Sequence, residues 1–538
     1  MNKADRTVIR NVDIVDGSGS ARYRGAILLS EGRIAQIGSP TMDAPLAQQI
    51  DGSGLVASPG FIDMHAHSDL AVLTDSDHLA RLTQGCTLEV LGQDGLSYAP
   101  LTEDTTEQLW EVLAAWNGQP AELSLDWRSV DDYLQRVDAV TPTNVAYLLP
   151  HGTLRMQAMG WHDRPPTESE LAHMCAAIDM GMRDGAFGLS AGLSYVPGMY
   201  AQTTELVELC RVVAEHAGFF APHQRSYGAG ALEGYAEMLD IGTASGCPVH
   251  LTHATMNFGV NAGRAEELLA LVDRHRDCGE DVSLDTYPYL PGMTSLSSLL
   301  PSWSVEGGTE ALLERLRDPR LRRRIIHELD QVGTDGAHGV PVDWDAIEIS
   351  GVAAQDLRHL LGSSVAEAAK AAVREPAEFY LDVLLADRLR SSCLMHVGHE
   401  DNVRAIMCHP THMGSSDGLL HGENVHPRAW GSFARYLGHY ARKVGIFSLE
   451  EAVAHLTGRP ARRLGLTDRG LLAEGNWADM VLFDPNAIED TATFEDSRSP
   501  AAGITHVFVN GRLALADGRR TDVVAGRALR GPAWRGHS

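Results

Sequence analysis

The stretch Ser58-Pro-Gly-Phe-Ile-Asp-Met-His-Ala-His-Ser-Asp69 indicates the fold class of this chain. A short, mostly apolar run at residues 61–64 has the composition of a buried strand, and His65 and His67 follow it one residue apart. Because side chains alternate along a strand, both imidazoles point to the same side. Two neutral imidazoles that converge from one strand end form half of a metal site, so we predict a divalent ion here. The alternative is a pair of solvated loop histidines.

Seven further apolar runs follow, and each ends in a small or polar residue. Helix-like stretches with apolar residues at positions i, i+3 and i+4 lie between most of them. The distance from His223 to His253 is 30 residues and from His253 to Tyr287 is 34, which is the length of a strand, a helix and two loops. Eight strands that alternate with helices predict a (β/α)₈ TIM barrel, an α/β fold whose functional groups collect at the carboxyl ends of the strands. The seven runs are residues 88–94, 145–151, 186–190, 219–223, 249–253, 282–287 and 406–417.

The two ends of the chain have a different pattern, with short β-rich segments punctuated by glycine. These segments are too short to bury a core separately, so we predict that residues 1–57 and 470–538 pair into one small β-sandwich. The barrel then spans residues 58–469. The interval between its seventh and eighth strands is too long for one helix, and we predict an insertion at about residues 290–400 that covers the barrel mouth.

Composition excludes several classes of function. A chain of 538 residues with 44% hydrophobic content can form a large barrel and an accessory domain. Its net charge of −27 argues against nucleic acid as a partner, because phosphates require a basic surface. It has no apolar run of about 20 residues and no secretory signal at its start, so no membrane is expected. Seven cysteines without paired spacing predict a cytoplasmic location. The oligomeric state is left open.

Several motifs together resemble one known family. They are GRIAQIG, PGFIDMHAHSD, GAFGLSAGLSYVPGMYAQTTELVEL, HQRSYG, HLTHA, DTYPY, GSSDG, HPRAWGSF and GNWADMVLFDP. In order and spacing the chain resembles the D-aminoacylase (N-acyl-D-amino-acid deacylase) family of the amidohydrolase superfamily over nearly its whole length. The resemblance implies a hydrolase that acts on C–N bonds other than peptide bonds. It also implies one or two Zn²⁺ ions, with Mn²⁺ or Co²⁺ as alternatives.

The implied metal ligands differ from the family pattern at one position. The family commonly has Gly-Asn-Cys-Gly after the second strand, where the cysteine binds metal, and this chain has Gly92-Gln93-Asp94-Gly95. A carboxylate can replace a thiolate at a similar distance from Zn²⁺, so Asp94 is a candidate ligand. The alternative is that Asp94 is only a turn residue before Gly95. Cys86, eight residues earlier, is expected to be a core residue and not a displaced ligand. The full candidate set is His65, His67, Asp94, His223, His253 and Asp417.

The chemistry expected of this set is hydrolysis of an amide by a metal-activated hydroxide. Asp417 is the predicted general base, which takes a proton from water and passes it to the leaving nitrogen. By resemblance, Arg428 and Tyr287 bind a substrate carboxylate, since a guanidinium pairs well with that group. Arg225 is an additional cation near the site, and His426 could line the mouth. The family often has a lysine at the position of Thr255, so one cation is missing.

Three functions remain open from the sequence. The first is a metal-dependent amidohydrolase that acts on N-acyl-D-amino acids or related small molecules. The second is a cyclic-amide or D-dipeptide hydrolase on the same scaffold, which the loss of one cation at Thr255 makes more plausible. The third is a barrel that binds a ligand without catalysis. A metal assay separates the third from the other two.

Overall fold

The computed structural model describes residues 6–536. Its strands form a barrel, a sheet from the two chain ends and a small sheet in an insertion. In chain order the strands are β1 (Arg6–Ile14), β2 (Tyr23–Ser30), β3 (Arg33–Gly38), β4 (Gln48–Asp51), β5 (Val56–Pro59), β6 (Phe61–Asp63), β7 (Cys86–Leu91), β8 (Asn144–Pro150), β9 (Gly188–Gly192), β10 (Phe219–His223), β11 (Val249–Leu251), β12 (Val282–Thr286), β13 (Gly292–Ser295), β14 (Ile347–Gly351), β15 (Ser392–Met395), β16 (His412–Gly414), β17 (Met480–Phe483), β18 (Ile504–Val509), β19 (Arg512–Ala516) and β20 (Arg519–Arg520).

The helices lie mainly between the barrel strands and in the insertion. They are α1 (Ala71–Thr74), α2 (Leu79–Leu82), α3 (Glu103–Val112), α4 (Ala114–Asn117), α5 (Val130–Val140), α6 (His151–Met159), α7 (Glu168–Asp184), α8 (Thr203–Glu215), α9 (Ala231–Ser245), α10 (Ala265–Asp277), α11 (Thr309–Arg317), α12 (Pro319–His327), α13 (Val365–Ala371), α14 (Pro376–Ala386), α15 (Glu400–Met407), α16 (Arg428–Arg435), α17 (Leu449–Leu456) and α18 (Gly458–Arg463). Within residues 6–536, none of the helices is both long and apolar enough to span a bilayer.

Eight parallel strands form the barrel in the order β6-β7-β8-β9-β10-β11-β12-β16. It closes between its first and last strands, where the backbone N–H of Met64 donates to the carbonyl of Gly414 at 3.3 Å and Ala66 bridges Gly418. Strands β7 and β8 are buried along their whole length, as expected for strands covered on both faces. The predicted TIM barrel is confirmed.

Alternate residues of the strands fill the barrel interior. Leu88 and Val90 of β7 pack in one apolar cluster with Ala146 and Leu148 of β8. The residues between them, such as Tyr147, belong to the outer cluster with the helices. Helix α8 shows the matching helical pattern, because its buried residues recur at intervals of three and four. The interior is therefore a packed core that holds the strand ends rigidly.

The two chain ends meet in one nine-stranded sheet built from β1–β5 and β17–β20. They join where β17 pairs antiparallel with β5. The hairpin between β18 and β19 turns at Asn510 and Gly511, which both have positive φ, as a two-residue turn requires. The predicted accessory β domain from both termini is confirmed, while its boundaries at 57 and 470 stay a prediction. Beyond the sheet, the backbone of Arg527 and Leu529 hydrogen-bonds to Val145 of the barrel.

The interval between β12 and β16 forms an insertion with a core of its own. Its antiparallel sheet has the order β13-β15-β14, and helices α11–α14 pack on it through a separate apolar cluster. Strand β13 starts six residues after β12 ends, so it lies close to the barrel mouth. The predicted insertion between the seventh and eighth barrel strands is confirmed.

Candidate metal centre

Six buried side chains meet at the carboxyl ends of the barrel strands. His65 and His67 follow β6, Asp94 follows β7, and Asp417 follows β16. His223 is the last residue of β10, and His253 follows β11. None of the six is more than 8% exposed. The structure therefore brings together all six residues that the sequence indicated as metal ligands.

The six form two overlapping groups that could each hold an ion. In the first group, the ligand atoms of His65, His67, Asp94 and Asp417 lie within 4.8 Å of one another. In the second, those of Asp94, His223 and His253 meet the same limit. Asp94 belongs to both groups, because its Oδ1 lies 3.4 Å from His65 Nε2 and 3.3 Å from His253 Nε2. Its carboxylate would therefore be shared by the two groups if each held an ion.

The donor set fits divalent metal ions. The Nε2 atoms of His65 and His67 lie 3.2 Å apart, and Nδ1 of His223 lies 3.0 Å from Nε2 of His253. Imidazoles that converge in this way, with two buried carboxylates among them, present lone pairs and negative charge to one point. Imidazole and carboxylate ligands suit Zn²⁺, Mn²⁺ and Co²⁺. The chain therefore has a metal site with room for two ions.

The backbone at three of these residues is left-handed, which is uncommon outside glycine. The φ angles are 54° at Asp94, 31° at His253 and 48° at Asp417. Each residue follows a strand, and this conformation turns the chain sharply at the barrel mouth. Strained backbone of this kind persists where the surrounding structure holds it, and it is concentrated at functional sites. Beside Asp94, a Cβ on Gly95 would lie 2.5 Å from the backbone of Gly192, so this turn is tightly packed.

Further hydrogen bonds orient the second group of histidines. The hydroxyl of Ser194 lies 2.5 Å from Nε2 of His223, which leaves Nδ1 to face the cluster. The hydroxyl of Tyr227 lies 3.1 Å from Nδ1 of His253. Asp285 accepts a hydrogen bond from the backbone N–H of His253 at 2.9 Å and contacts His250 at 2.8 Å. Such partners fix the tautomer and ring orientation of metal-binding histidines.

Both carboxylates of the cluster are held in the ionised form. Burial alone would raise the pKa of Asp417, but the guanidinium of Arg428 at 2.9 Å and a hydrogen bond from His67 keep it well below its usual range. The pKa of Asp94 is likewise held low against burial by the surrounding histidines, His65 first. Burial would lower the pKa of His67, but hydrogen bonds to Asp417 and Asp94 raise it to about 10. The raised pKa of His67 reflects the negative charge of the two carboxylates, and a metal ion bound by His67 would displace its proton.

A small pocket of about 70 Å³ lies against the cluster. On one side are Arg428 and Tyr287, whose ring lies 4.4 Å from the guanidinium carbon. Arg428 is 1% exposed, and among the described residues its Nε has no hydrogen-bond partner. Arg428 is therefore a buried cation whose Nε–H is available to donate a hydrogen bond to an anion. The remaining wall includes side chains from the loop after β11 and from the insertion: Thr255, Asn257, Phe258, Met293, Thr294, His338, Met395 and Val397.

Two residues that the sequence indicated for substrate contact have other partners. Arg225 forms an ion pair with Glu237 of α9 at 2.6 Å and donates to the carbonyl of Ala201 at 2.6 Å, and it is not in the wall of the pocket. His426 is fully buried, with Nε2 on the carbonyl of Pro291 and Nδ1 on the backbone N–H of Arg428, both at 2.9 Å. His426 therefore positions Arg428 and does not reach the pocket.

Other pocket residues were not indicated by the sequence. His338 comes from a loop of the insertion, and Trp116 comes from α4, 22 residues after Asp94. Neither lies near a strand end, so spacing gave no signal for them. Ser194 lies two residues after β9, inside one of the family motifs, and the motif carried no prediction for its side chain. Cys86 lies buried at the other end of β7 from Asp94, as a core residue would.

A closed parallel barrel with a buried histidine and aspartate cluster at its strand ends is typical of metal-dependent hydrolases. The chain belongs to the Amidohydrolase family, whose profile matches residues 48–514.

Three relatives are similar over almost their whole length. The chain is 34% identical to a D-aminoacylase from Alcaligenes xylosoxydans xylosoxydans over 518 residues, which is 96% of each protein. A solved D-aminoacylase with a binuclear metal centre has 31% identity and a TM-score of 0.80, and the match covers 97% of this chain and 99% of that one. The crystal structure of N-acyl-D-glutamate deacylase from Bordetella bronchiseptica has 33% identity and a TM-score of 0.81, covering 98% and 99%. That structure contains zinc and a phosphonate inhibitor, a mimic of the tetrahedral intermediate.

Proposed function

We propose that this protein is a deacylase of N-acyl-D-amino acids that uses one or two divalent ions, with Zn²⁺ as the resident metal. The observation that carries the proposal is the position of Arg428. Its guanidinium lies 2.9 Å from Asp417, and it is buried beside the metal cluster with Nε free of partners in the described part of the chain. A guanidinium in this place can bind the carboxylate of a small substrate whose amide reaches the cluster.

The proposed ligands are His65, His67, Asp94 and Asp417 for one ion, and Asp94, His223 and His253 for the other. A divalent ion held there supplies Lewis acidity, which polarises a carbonyl oxygen and lowers the pKa of water. Asp417 accepts a proton from the attacking water and returns it to the leaving nitrogen. Arg428 holds the pKa of Asp417 below its usual range, so the carboxylate is ionised at neutral pH.

The substrate class follows from the pocket and from the relatives. Among residues 6–536, Arg428 is the one lysine or arginine in the pocket wall, so we propose a substrate that presents one carboxylate there. The similar proteins are a D-aminoacylase and an N-acyl-D-glutamate deacylase, which supports the D configuration. In this pocket Thr255 bonds to Asn257 at 2.7 Å and adds no charge, so we propose a neutral side chain on the amino acid.

The test is a panel of matched substrates with the purified protein. N-acyl derivatives of D- and L-leucine, methionine and glutamate are compared with a D-dipeptide and a hydantoin, with metal content measured in parallel. We expect kcat/KM to be highest for a neutral N-acyl-D-amino acid and to vanish on treatment with a chelator. Turnover of the hydantoin or the dipeptide alone would assign the second function considered from the sequence. If the protein binds members of the panel but hydrolyses none of them, an enzymatic function is contradicted.

All seven cysteines are free. Unpaired thiols are typical of a reducing compartment, which supports a cytoplasmic location.

A further inference from the structure

A second cavity, larger than the metal pocket, opens beside it. Its volume is about 260 Å³, against about 70 Å³ for the pocket at the cluster. The two share Trp116 and Tyr195 in their walls. We call it the side cavity. Its apolar walls come from loops after the early barrel strands and from the insertion, and include Leu113, Met199, Leu300, Val305 and Leu312.

Trp116 and Tyr195 form the neck between the two cavities. The Trp116 ring lies 5.3 Å from the ring of His67, and the Tyr195 ring lies 4.8 Å from that of His223. The two rings contact each other edge to face at 5.1 Å. Ser194, whose hydroxyl bonds to His223, also lines the side cavity. The side cavity therefore begins one side chain away from the candidate ligands.

The side cavity and the carboxylate anchor lie on opposite sides of the barrel mouth. Tyr287 follows β12, and Arg428 lies beyond β16. The barrel walls of the side cavity come from segments after β7, β8 and β9. Around the closed barrel, β8 and β9 are three or four places from β12 and β16, and β7 is two or three places from them. The metal cluster lies between them. A molecule held at Arg428 that crosses the cluster is thus directed toward the neck.

We propose that the side cavity receives the acyl group of the substrate, and that the preferred substrates carry a medium-length or long apolar acyl chain. This inference rests on the proposed function. In a trans amide, the first carbon of the acyl chain beyond the carbonyl and the α-carbon of the amino acid lie at opposite ends of the planar unit. With the α-carboxylate on Arg428 and the carbonyl at the cluster, the acyl end faces Trp116 and Tyr195. The amino-acid side chain shares the α-carbon with the carboxylate, so it stays on the side of Met395 and His338.

The chemistry of the walls favours an uncharged, apolar chain. Apolar side chains together with Tyr195 form just over half of the lining, and its charged residues are the exposed Glu111 and two arginines. Of the two arginines in the lining, Arg388 forms an ion pair with Glu310, and Arg390 donates from Nε to the carbonyl of Asp387 at 3.2 Å. At the neck, Nε1 of Trp116 is buried without a hydrogen-bond partner in the described part of the chain. It offers one donor for the polar amide end, and the chain beyond it enters apolar surroundings.

The size of the effect follows from the burial of methylene groups. Each methylene transferred from water to an apolar site contributes about fourfold to an equilibrium or rate constant. We expect kcat/KM to rise by up to about fourfold per methylene from acetyl to octanoyl, until the cavity is filled. The amide and carboxylate are the same throughout the series, so the slope reports the acyl site alone.

The experiment compares N-acetyl-, N-butanoyl-, N-hexanoyl- and N-octanoyl-D-methionine with the metal-loaded enzyme. Val305→Trp introduces a large side chain into the lining of the side cavity. It should lower the octanoyl-to-acetyl ratio of kcat/KM at least tenfold. The matched control is Val332→Trp, a position in the same insertion that is 58% exposed, where the ratio should stay unchanged. Thermal unfolding of both variants shows whether the fold is retained.

The outcomes separate this inference from the function on which it rests. The inference is supported if kcat/KM rises with acyl chain length in the wild type and this rise is absent from Val305→Trp. Efficient hydrolysis of N-acetyl-D-methionine with a flat or falling series would overturn the acyl site and leave the deacylase proposal intact. Failure to hydrolyse any member of the series, with metal bound, would contradict the deacylase proposal itself.

Discussion

The pocket has two halves that differ in origin and in chemistry. The barrel half consists of side chains at strand ends, where six histidines and aspartates meet within a few ångströms. The insertion half consists of Met293, Thr294, His338, Met395 and Val397, of which none is charged at neutral pH. Groups that bind metal and transfer protons need fixed positions, and strands of a packed barrel supply them. Side chains that only shape a substrate site can come from a less constrained segment. We therefore expect the barrel half to carry the chemistry and the insertion half to shape the substrate site.

The largest effect should come from the barrel half. We expect Asp417→Asn to lower kcat by about 10²–10⁴-fold, because the amide cannot accept the proton from water. Its loss as a ligand would add to this. The measurement is kcat together with metal content by elemental analysis and the unfolding temperature. Asp401→Asn, at an exposed position at the start of α15, is the matched control and should have wild-type activity. Near-normal turnover in Asp417→Asn would remove Asp417 as the base.

Asp94 tests whether one carboxylate serves both ions. Asp94→Ala should reduce metal content for both groups, since its oxygens lie 3.3–3.5 Å from all four histidines. Asp94→Cys should retain binding and shift preference toward Zn²⁺, because a thiolate is the softer ligand. The decisive variant is Asp94→Asn, which suits the left-handed backbone as well as Asp does. Full activity and metal content in that variant would make Asp94 a turn residue only.

The barrel half could be read from the sequence, and the insertion half could not. Ligands at strand ends recur with the barrel's own period, so His223 and His253 could be placed in space from their spacing. His338 and Met395 lie 51 and 108 residues beyond Tyr287, inside a segment with no repeating pattern. Their contact with the pocket depends on how the three-stranded sheet folds back, which is a tertiary property. The left-handed backbone at Asp417 also leaves no mark in the sequence.

Arg225 shows that a residue close to a candidate ligand in the sequence need not lie at the site. It lies two residues after His223, so the sequence placed it at the site. The chain turns after β10, however, and Glu237 of α9 is close enough to pair with the guanidinium at 2.6 Å. The periodicity of the sequence does not predict that Arg225 pairs with Glu237, twelve residues away on α9. The sequence indicated Arg428 because that residue belongs to a recognisable motif, and the structure places it in the wall of the pocket.

The two arginines give a third prediction, of intermediate size. Arg428→Gln should raise KM for an N-acyl-D-amino acid, since a charge-assisted hydrogen bond contributes about 1.5–3 kcal/mol, or about 10- to 150-fold. Arg225→Gln should leave KM unchanged and lower the unfolding temperature, because it breaks a partly buried ion pair away from the pocket. Steady-state kinetics on both variants makes the comparison. Equal KM values for the two would show that Arg428 does not anchor the carboxylate.

The smallest effect should come from the insertion half, at His338. Burial, with the nearby His223, lowers the pKa of His338 to about 3, so the ring is neutral from pH 5 to 9. It packs edge to face on Tyr227 at 5.6 Å, and its buried Nδ1 has no hydrogen-bond partner among residues 6–536. A neutral hydrogen bond to substrate contributes about 0.5–1.5 kcal/mol, so we expect His338→Phe to raise KM by about two- to thirteenfold.

Because the ring is neutral throughout, kcat and its pH profile should stay those of the wild type. Titration of kcat against pH in both proteins is the measurement. A fall in kcat of a hundredfold, or a lost ionisation in the profile, would place proton transfer in the insertion and break the division between the two halves.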